Sequence, residues 1–282
     1  MVKLSAFSDE AGNSIKEQIS ALKRNGIALM ELRSIDGKNV AEFTEEEAKS
    51  YQKELEENGI SVWSIGSPLG KVDIDVDFNE YCKKVRHVCK LANIFKTKKI
   101  RMFSFFKAYD QEEKVFAYLR EMVKIGKEYG VEMCHENEKD VFGDTAERVL
   151  KIMQNVEGLK YIYDPANYLQ CGQSADKTLD LFHAKTDYFH IKDVIVESGA
   201  LVPAGYGNGK IKELIARITD DKVLTLEPHL AVFDAYKSID NTEMKHKFTY
   251  ASANEAFDAA VTALKNILKE LNYKEEKGEF VK

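Results

Sequence analysis

Eight short apolar runs, each separated from the next by a stretch of helical character, restrict what this chain can fold into. They are Val2 to Phe7, Leu29 to Leu32, Ile60 to Ile65, Lys99 to Phe103, Val131 to Glu136, Leu159 to Tyr163, Tyr188 to Ile191 and Lys222 to Leu226. Strands that alternate with helices predict an α/β protein with a parallel sheet and right-handed crossovers, and the number eight favours closure into a (β/α)8 TIM barrel. A doubly wound open sheet is the alternative. It is disfavoured because no GxGxxG follows the first run, where a dinucleotide fold carries it.

The intervening stretches carry helix punctuation. Ser14 to Glu17 reads as a capping box opening a helix with Ile15, Ile19 and Leu22 on one face, closed by Gly26. Thr44 to Glu47 caps a second helix that stops at Asn58 and Gly59, and Phe78 to Ala92 is a third. Glu112 to Lys127 is a fourth, Asp144 to Glu147 caps a fifth, and Ala175 to Phe182 is a short one. A weak helix begins near Lys210, and Ser252 to Glu255 caps a last helix reaching about Leu271. One barrel over residues 1–272 is expected, followed by a charged tail over 273–282, YKEEKGEFVK, read as frayed.

Composition narrows the partners. The chain has 282 residues, 44% of them hydrophobic, enough for one large core. With 41 basic against 47 acidic residues the formal charge is -6, which offers a phosphate backbone no general attraction, so nucleic acid is not an expected partner. Four scattered cysteines without CxxC spacing imply neither a zinc knuckle nor a disulfide framework. The N-terminus lacks the pattern of a signal peptide and no run of apolar residues is long enough for a membrane span, so a cytoplasmic protein with no membrane partner is expected.

Four of the apolar runs end on residues able to bind a metal. VEMCHEN reaches Glu136, YIYD ends at Asp164, DYFH at His190, and VLTLE at Glu227. In a parallel barrel the C-terminal strand ends build the active site, so these four would converge at successive strands five to eight. Three carboxylates aimed at one point are costly without a cation. With one imidazole they suit Mn2+ above all, with Co2+, Mg2+ or Zn2+ as alternatives, rather than a thiolate-bound zinc. Taken singly, His190 also reads as a structural hydrogen-bonder, Asp164 before Pro165 as the start of an Asx turn with Asn167 capping the next segment, and Glu227 as a solvated loop residue.

The motifs HENEKDVFGDT, YDPANYLQCG, YFHIKD and LEPHL, with FSDE, ELRSIDGKNV and SPLGKVDI before them, resemble those of the sugar (phosphate) isomerase/epimerase superfamily, the xylose-isomerase-like TIM barrels. The resemblance covers nearly the whole chain. It implies a single divalent metal held by Glu136, Asp164, His190 and Glu227, with Glu136 and Glu227 serving also as the catalytic acid and base. Asn167, a candidate substrate contact, stands where several ketose epimerases carry a histidine. Barrels of this kind commonly pair, so a homodimer or homotetramer is implied.

The chemistry suited to such a site is proton abstraction next to a carbonyl of a small carbohydrate, a monosaccharide or keto-sugar glycoside, giving epimerisation or aldose-ketose isomerisation. Elimination of the glycosidic substituent from a 3-keto glycoside would begin with the same proton loss. A metal-dependent endonuclease-like hydrolase is an alternative weakened by the presence of only six histidines and the acidic balance. A sugar-binding barrel without turnover is another.

Alternation turns Lys192 to the same side as His190, to polarise a substrate oxygen or to form an ion pair, while His135 points away and packs behind the barrel. Arg33, beside Glu31 at the end of run two, and Lys71 after run three read equally as substrate-hydroxyl contacts or surface salt bridges. AGYGNGK, Ala204 to Lys210, lies where many barrels bind phosphate, yet its glycines also suit a tight turn, so a non-phosphorylated sugar is favoured. The segment from His229 to Tyr250, with Phe233, Tyr236, Phe248 and Tyr250, reads as a lid or a subunit contact.

Overall fold

The computed structural model describes residues 1–231, 245–246, 248–276 and 278–282. The barrel strands are β1 Val2–Ala6, β2 Leu29–Leu32, β3 Ser61–Leu69, β4 Lys99–Met102, β5 Glu132–Glu136, β6 Lys160–Tyr163, β7 Tyr188–Ile191 and β8 Lys222–Leu226. Each pairs in parallel with the next. β8 returns to β1 in register from Val2 opposite Lys222 to Ala6 opposite Leu226, so the sheet closes on itself as a (β/α)8 TIM barrel.

The helices between the strands are α1 Ile15–Arg24, α2 Glu45–Glu57, α3 Phe78–Ile94, α4 Glu112–Glu128, α5 Ala146–Asn155, α6 Pro165–Gln170, α7 Ala175–Phe182, α8 Ile211–Ala216 and α9 Ala253–Glu270. Their starts are set by local chemistry. Ser14 accepts from the Glu17 amide while Glu17 reaches back, and Thr44 and Glu47 repeat the arrangement, each box satisfying two amides that a helix start leaves unpaired. α1 buries Ile15, Ile19 and Leu22, the face its spacing predicts. No helix among the described residues is long and apolar enough to cross a membrane.

Strand alternation sorts the barrel interior into levels. Cys134, Ile162, Tyr188 and Val223 form an apolar cluster with Leu29 and Trp63. Two residues later on the same strands, and therefore on the same face, stand Glu136, Asp164, His190 and Thr225. The polar site thus rests on an apolar floor, which excludes water from below and strengthens each charge interaction above it.

Three local expectations are corrected. The tail is not frayed: Lys274–Glu276 and Glu279–Val281 (β9 and β10) form a hairpin whose second strand pairs antiparallel with β1, Phe280 opposite Val2, because buried Phe280 anchors an otherwise charged segment. The cap of α5 is Thr145, which accepts from the Arg148 amide. Asp144 instead binds the Arg148 guanidinium at 2.6 Å and accepts from the Tyr109 hydroxyl at 2.7 Å. The third run does not stop at Ile65: β3 continues through Ser67 and Pro68 to Leu69.

Candidate metal and active site

Each site residue is set by its strand end. Glu136 ends β5, and Asn137 after it clips β5 to β6: its Nδ2 donates to the Asp164 carbonyl and its Oδ1 accepts from the Asp164 amide, both at 2.9 Å. Asp164 divides its two oxygens. Oδ1 caps α6 by accepting from the Asn167 amide at 2.9 Å, and Oδ2 lies 2.9 Å from Lys192 Nζ. The Asx reading of Asp164 is therefore realised on one oxygen, while the other faces Lys192.

His190 sits at the centre. Its Nδ1 is 2.9 Å from Glu136 Oε1 and 3.2 Å from Glu227 Oε2, and its Nε2 is 3.1 Å from Glu31 Oε2. One ligand atom from each of Glu136, Asp164, His190 and Glu227 lies within 4.8 Å of the others, and all four residues are buried. The convergence anticipated for strands five to eight is present.

Basic side chains surround the carboxylates. Arg101 of β4 places Nη1 3.2 Å from Glu136 Oε2 and 3.5 Å from Glu227 Oε1, so one guanidinium bridges both glutamates. Arg33 meets Glu227 Oε1 at 3.2 Å, Asp9 at 2.8 Å and Glu10 at 3.2 Å. Both guanidinium groups lie against Phe7, at 4.4 and 4.8 Å from its ring centre. Arg33 is 1% exposed, so its ion pairs are interior ones rather than surface salt bridges. Lys192 lies between Asp164 and Glu227, 3.6 Å from the latter.

Lys71 stands further out, paired with Glu138 at 2.8 Å and 4.5 Å above the Phe103 ring. Asn167 Nδ2 donates to the Asn137 carbonyl at 2.9 Å and reaches Glu136 Oε1 at 3.4 Å. Lys71, Arg101, Asn167, Lys192, Glu227 and His229 line the cleft at the barrel mouth.

Does this set fit a divalent cation? Asp164 Oδ2 and Glu227 Oε2 are buried and, although cations lie near them, accept no aligned hydrogen bond among the described residues. Buried oxygens of this kind are costly unless a further cation completes them. Among the described residues the connected ion-pair network holds six carboxylates, Asp9, Glu10, Glu31, Glu136, Asp164 and Glu227. Against them stand three cations, Arg33, Arg101 and Lys192, a deficit of three before either histidine is charged. Burial accordingly pushes the Asp164 carboxyl up to about 7 despite Lys192, and that of Glu10 up to about 8 despite Arg33. Burial also opposes ionisation of Glu227, but Lys192, His190 and His229 outweigh it and hold that carboxyl well below the usual range. The donor set fits a metal.

Sequence reading missed Arg101, His229 and the opening acids Asp9 and Glu10 as site residues, and gave Glu31 no specific partner. His229 Nε2 lies 3.4 Å from Glu10 and 3.5 Å from Glu227, and the three form a second acidic group beside the first. The signal available was alternation: Arg101 and Glu31 each sit two residues above an inward-facing residue on their strands. His135 does point away from the mouth. It is buried, neither ring nitrogen is bonded among the described residues, and burial pushes its pKa down to about 3.

The glycine-rich loop has a different occupant from the one its position suggests. Asp193 Oδ1 accepts from the Val194 and Gly209 amides at 2.9 and 2.8 Å, and Oδ2 from the Gly205 and Gly207 amides at 2.9 and 3.0 Å. A Cβ at Gly207 would come within 2.3 Å of Asp193 Oδ1, which explains the glycine. Its amides bind an internal carboxylate. Of the aromatic residues in the segment after β8, Phe233 and Tyr236 lie outside the described residues, while Phe248 packs its ring 5.5 Å from that of Tyr206.

Comparisons agree with this architecture. An L-ribulose 3-epimerase superposes with a TM-score of 0.72 at 17% identity over 96% of this chain and 97% of that one. The IolI protein with a bound zinc atom gives 0.73 at 14%, over 95% and 99%. The probable 3-DHS dehydratase AsbF of Bacillus anthracis gives 0.70 at 18%, over 94% and 99%. No curated protein matches the sequence. Residues 19–250, most of the barrel, match the family described as xylose isomerase-like TIM barrel, and the chain belongs to that family.

Proposed function

We propose that this protein is a divalent-metal-dependent isomerase or epimerase of a non-phosphorylated carbohydrate, acting by proton transfer at the carbon next to a carbonyl. The observation that carries the reading is the buried meeting of Glu136, Asp164, His190 and Glu227 within 4.8 Å, at the mouth end of four consecutive barrel strands. These four would hold the ion, with Mn2+ the metal we favour for an oxygen-rich set that includes one imidazole. When bound, the ion would polarise the substrate carbonyl and lower the cost of negative charge on the adjacent oxygens.

The chain's own residues supply the rest. Glu136 and Glu227 approach from different strands, β5 and the end of β8, so each can face one side of a substrate carbon and the two can exchange the roles of base and acid. Arg101 touches both and fixes their separation. Lys192, buried between Asp164 and Glu227, is placed to donate to a substrate oxygen. Asp193 already fills the amide nest of the glycine loop, which favours a substrate without a phosphate there. The epimerase among the structures of like fold is consistent with the reading.

The test is metal analysis of purified wild type beside Glu136→Gln and His190→Ala, with deuterium wash-in from heavy water over a panel of keto sugars. The expected result is stoichiometric Mn2+ in wild type, lost in the variants, and metal-dependent deuterium incorporation at one carbon. Wild type that binds no divalent ion when Mn2+ is supplied would overturn the proposal.

A further inference from the structure

We propose that Glu31 is the positioning residue that sets His190 as a metal ligand, acting from the opposite side of the imidazole through a buried Glu31–Tyr188–Ser64 chain. The inference rests on the metal-site reading above and concerns a residue outside the four proposed ligands. Nδ1 of His190 faces Glu136 and Glu227, whereas Nε2 faces Glu31 Oε2 at 3.1 Å. The second oxygen of Glu31, Oε1, accepts from the Tyr188 hydroxyl at 2.9 Å, and that hydroxyl lies 3.1 Å from Ser64 Oγ. Glu31 and Ser64 are buried, and neither lines the cleft at the barrel mouth.

A neutral imidazole has one N–H and one lone pair, and the partner of one nitrogen decides which it keeps. Nδ1 faces carboxylates as well, so it is with an ion held among the four ligand atoms that the acceptor at Nε2 matters: it keeps the proton on Nε2 and leaves the Nδ1 lone pair for the ion. Carboxylates commonly hold metal-bound histidines in this way. Two further contacts limit ring rotation: the Phe7 ring meets the imidazole edge-on at 5.2 Å, and the Tyr188 ring lies at 5.6 Å. Tyr188 therefore packs against His190 and anchors the carboxylate that orients it.

Glu31→Gln is the informative change because it keeps shape and reverses polarity. Its amide group can donate to Nε2, which selects the opposite tautomer and turns Nδ1 into a donor. Mn2+ affinity, measured by calorimetric titration of the whole protein, should fall roughly 10- to 100-fold. In the Zn2+-loaded protein, 15N NMR of the His190 ring should report Nδ1 as the ligating nitrogen in wild type and lose that signature in Glu31→Gln. Should Glu31→Gln fail to fold, Tyr188→Phe, which removes only the hydroxyl, decides the matter by a several-fold loss of affinity.

Mn2+ affinity within about threefold of wild type in the folded variant, or wild-type ligation through Nε2, would overturn the role of Glu31 while leaving the metal site standing. Wild type that binds no metal would overturn the site itself, so the two failures are distinguishable.

Discussion

Asp193→Asn should be among the more damaging single-atom changes in this protein. Asp193 is 1% exposed and uses both oxygens, each accepting two backbone amides, to hold the loop that leads into α8. Burial pushes its carboxyl up, and the four amides pull it back. An asparagine keeps one acceptor and sets an NH2 group against the other two amides, so either the buried Val194 and Gly209 donors or the part-buried Gly205 and Gly207 donors lose their acceptor. At about 1–3 kcal/mol each, the loss is roughly 2–6 kcal/mol. That corresponds to a fall in Tm on the order of 10 °C for a domain of this size. Urea and thermal unfolding measure it.

A companion variant isolates the cause. Asp193→Ala leaves the four amides lining a carboxylate-sized space, so formate or acetate should restore part of its stability, while chloride at equal ionic strength should not. Wild type should respond to neither. A loss below about 0.5 kcal/mol in Asp193→Asn, typical of an uninvolved surface change, would refute the idea that this carboxylate organises the loop.

Three further outcomes are expected. Glu227→Gln should lower deuterium exchange and turnover by about two to four orders of magnitude with an unchanged circular dichroism spectrum; unchanged turnover in the folded variant would remove Glu227 from the acid–base pair. Arg101→Met leaves Glu136 and Glu227 without their shared guanidinium and should cost roughly 3–5 kcal/mol in the metal-free protein. Saturating Mn2+ should then stabilise that variant by more than it stabilises wild type, and an equal gain in both would show that Arg101 and the metal do not share the same carboxylates. Phe280→Ala should cost about 3–5 kcal/mol in chemical denaturation, because this 2%-exposed ring joins the C-terminal hairpin to the core; a negligible change would return the hairpin to the status of a loose tail.

Much of the architecture was legible because it is written in local periods. Helix starts such as Ser14 with Glu17 and Thr44 with Glu47 depend on residues three apart, and strands on a period of two, so neither needs distant information. The Glu136, Asp164, His190 and Glu227 set was legible for a related reason: each terminates an apolar run, and a parallel barrel brings consecutive strand ends together. The C-terminal hairpin was not legible. YKEEKGEFVK is charged at most positions, and only the pairing of its second strand with the start of β1 reveals why Phe280 is there.

The alternation of strands and helices, the closure that eight strands favour and the four strand-end residues that converge were thus legible in the sequence alone. Only the tertiary structure decided how the charges around them are used. Glu31 and His190 stand 159 positions apart, and nothing local to either names the other. Arg101 on β4 reads as an ordinary strand charge until closure carries it to both Glu136 and Glu227. The glycine loop likewise reads as a phosphate site or a tight turn alike until Asp193 is seen within it. Periodicity tells a side chain which face to take, but its partner there is chosen by the closing of the barrel, which brings distant strands within 3 or 4 Å in a medium where buried charge must find charge.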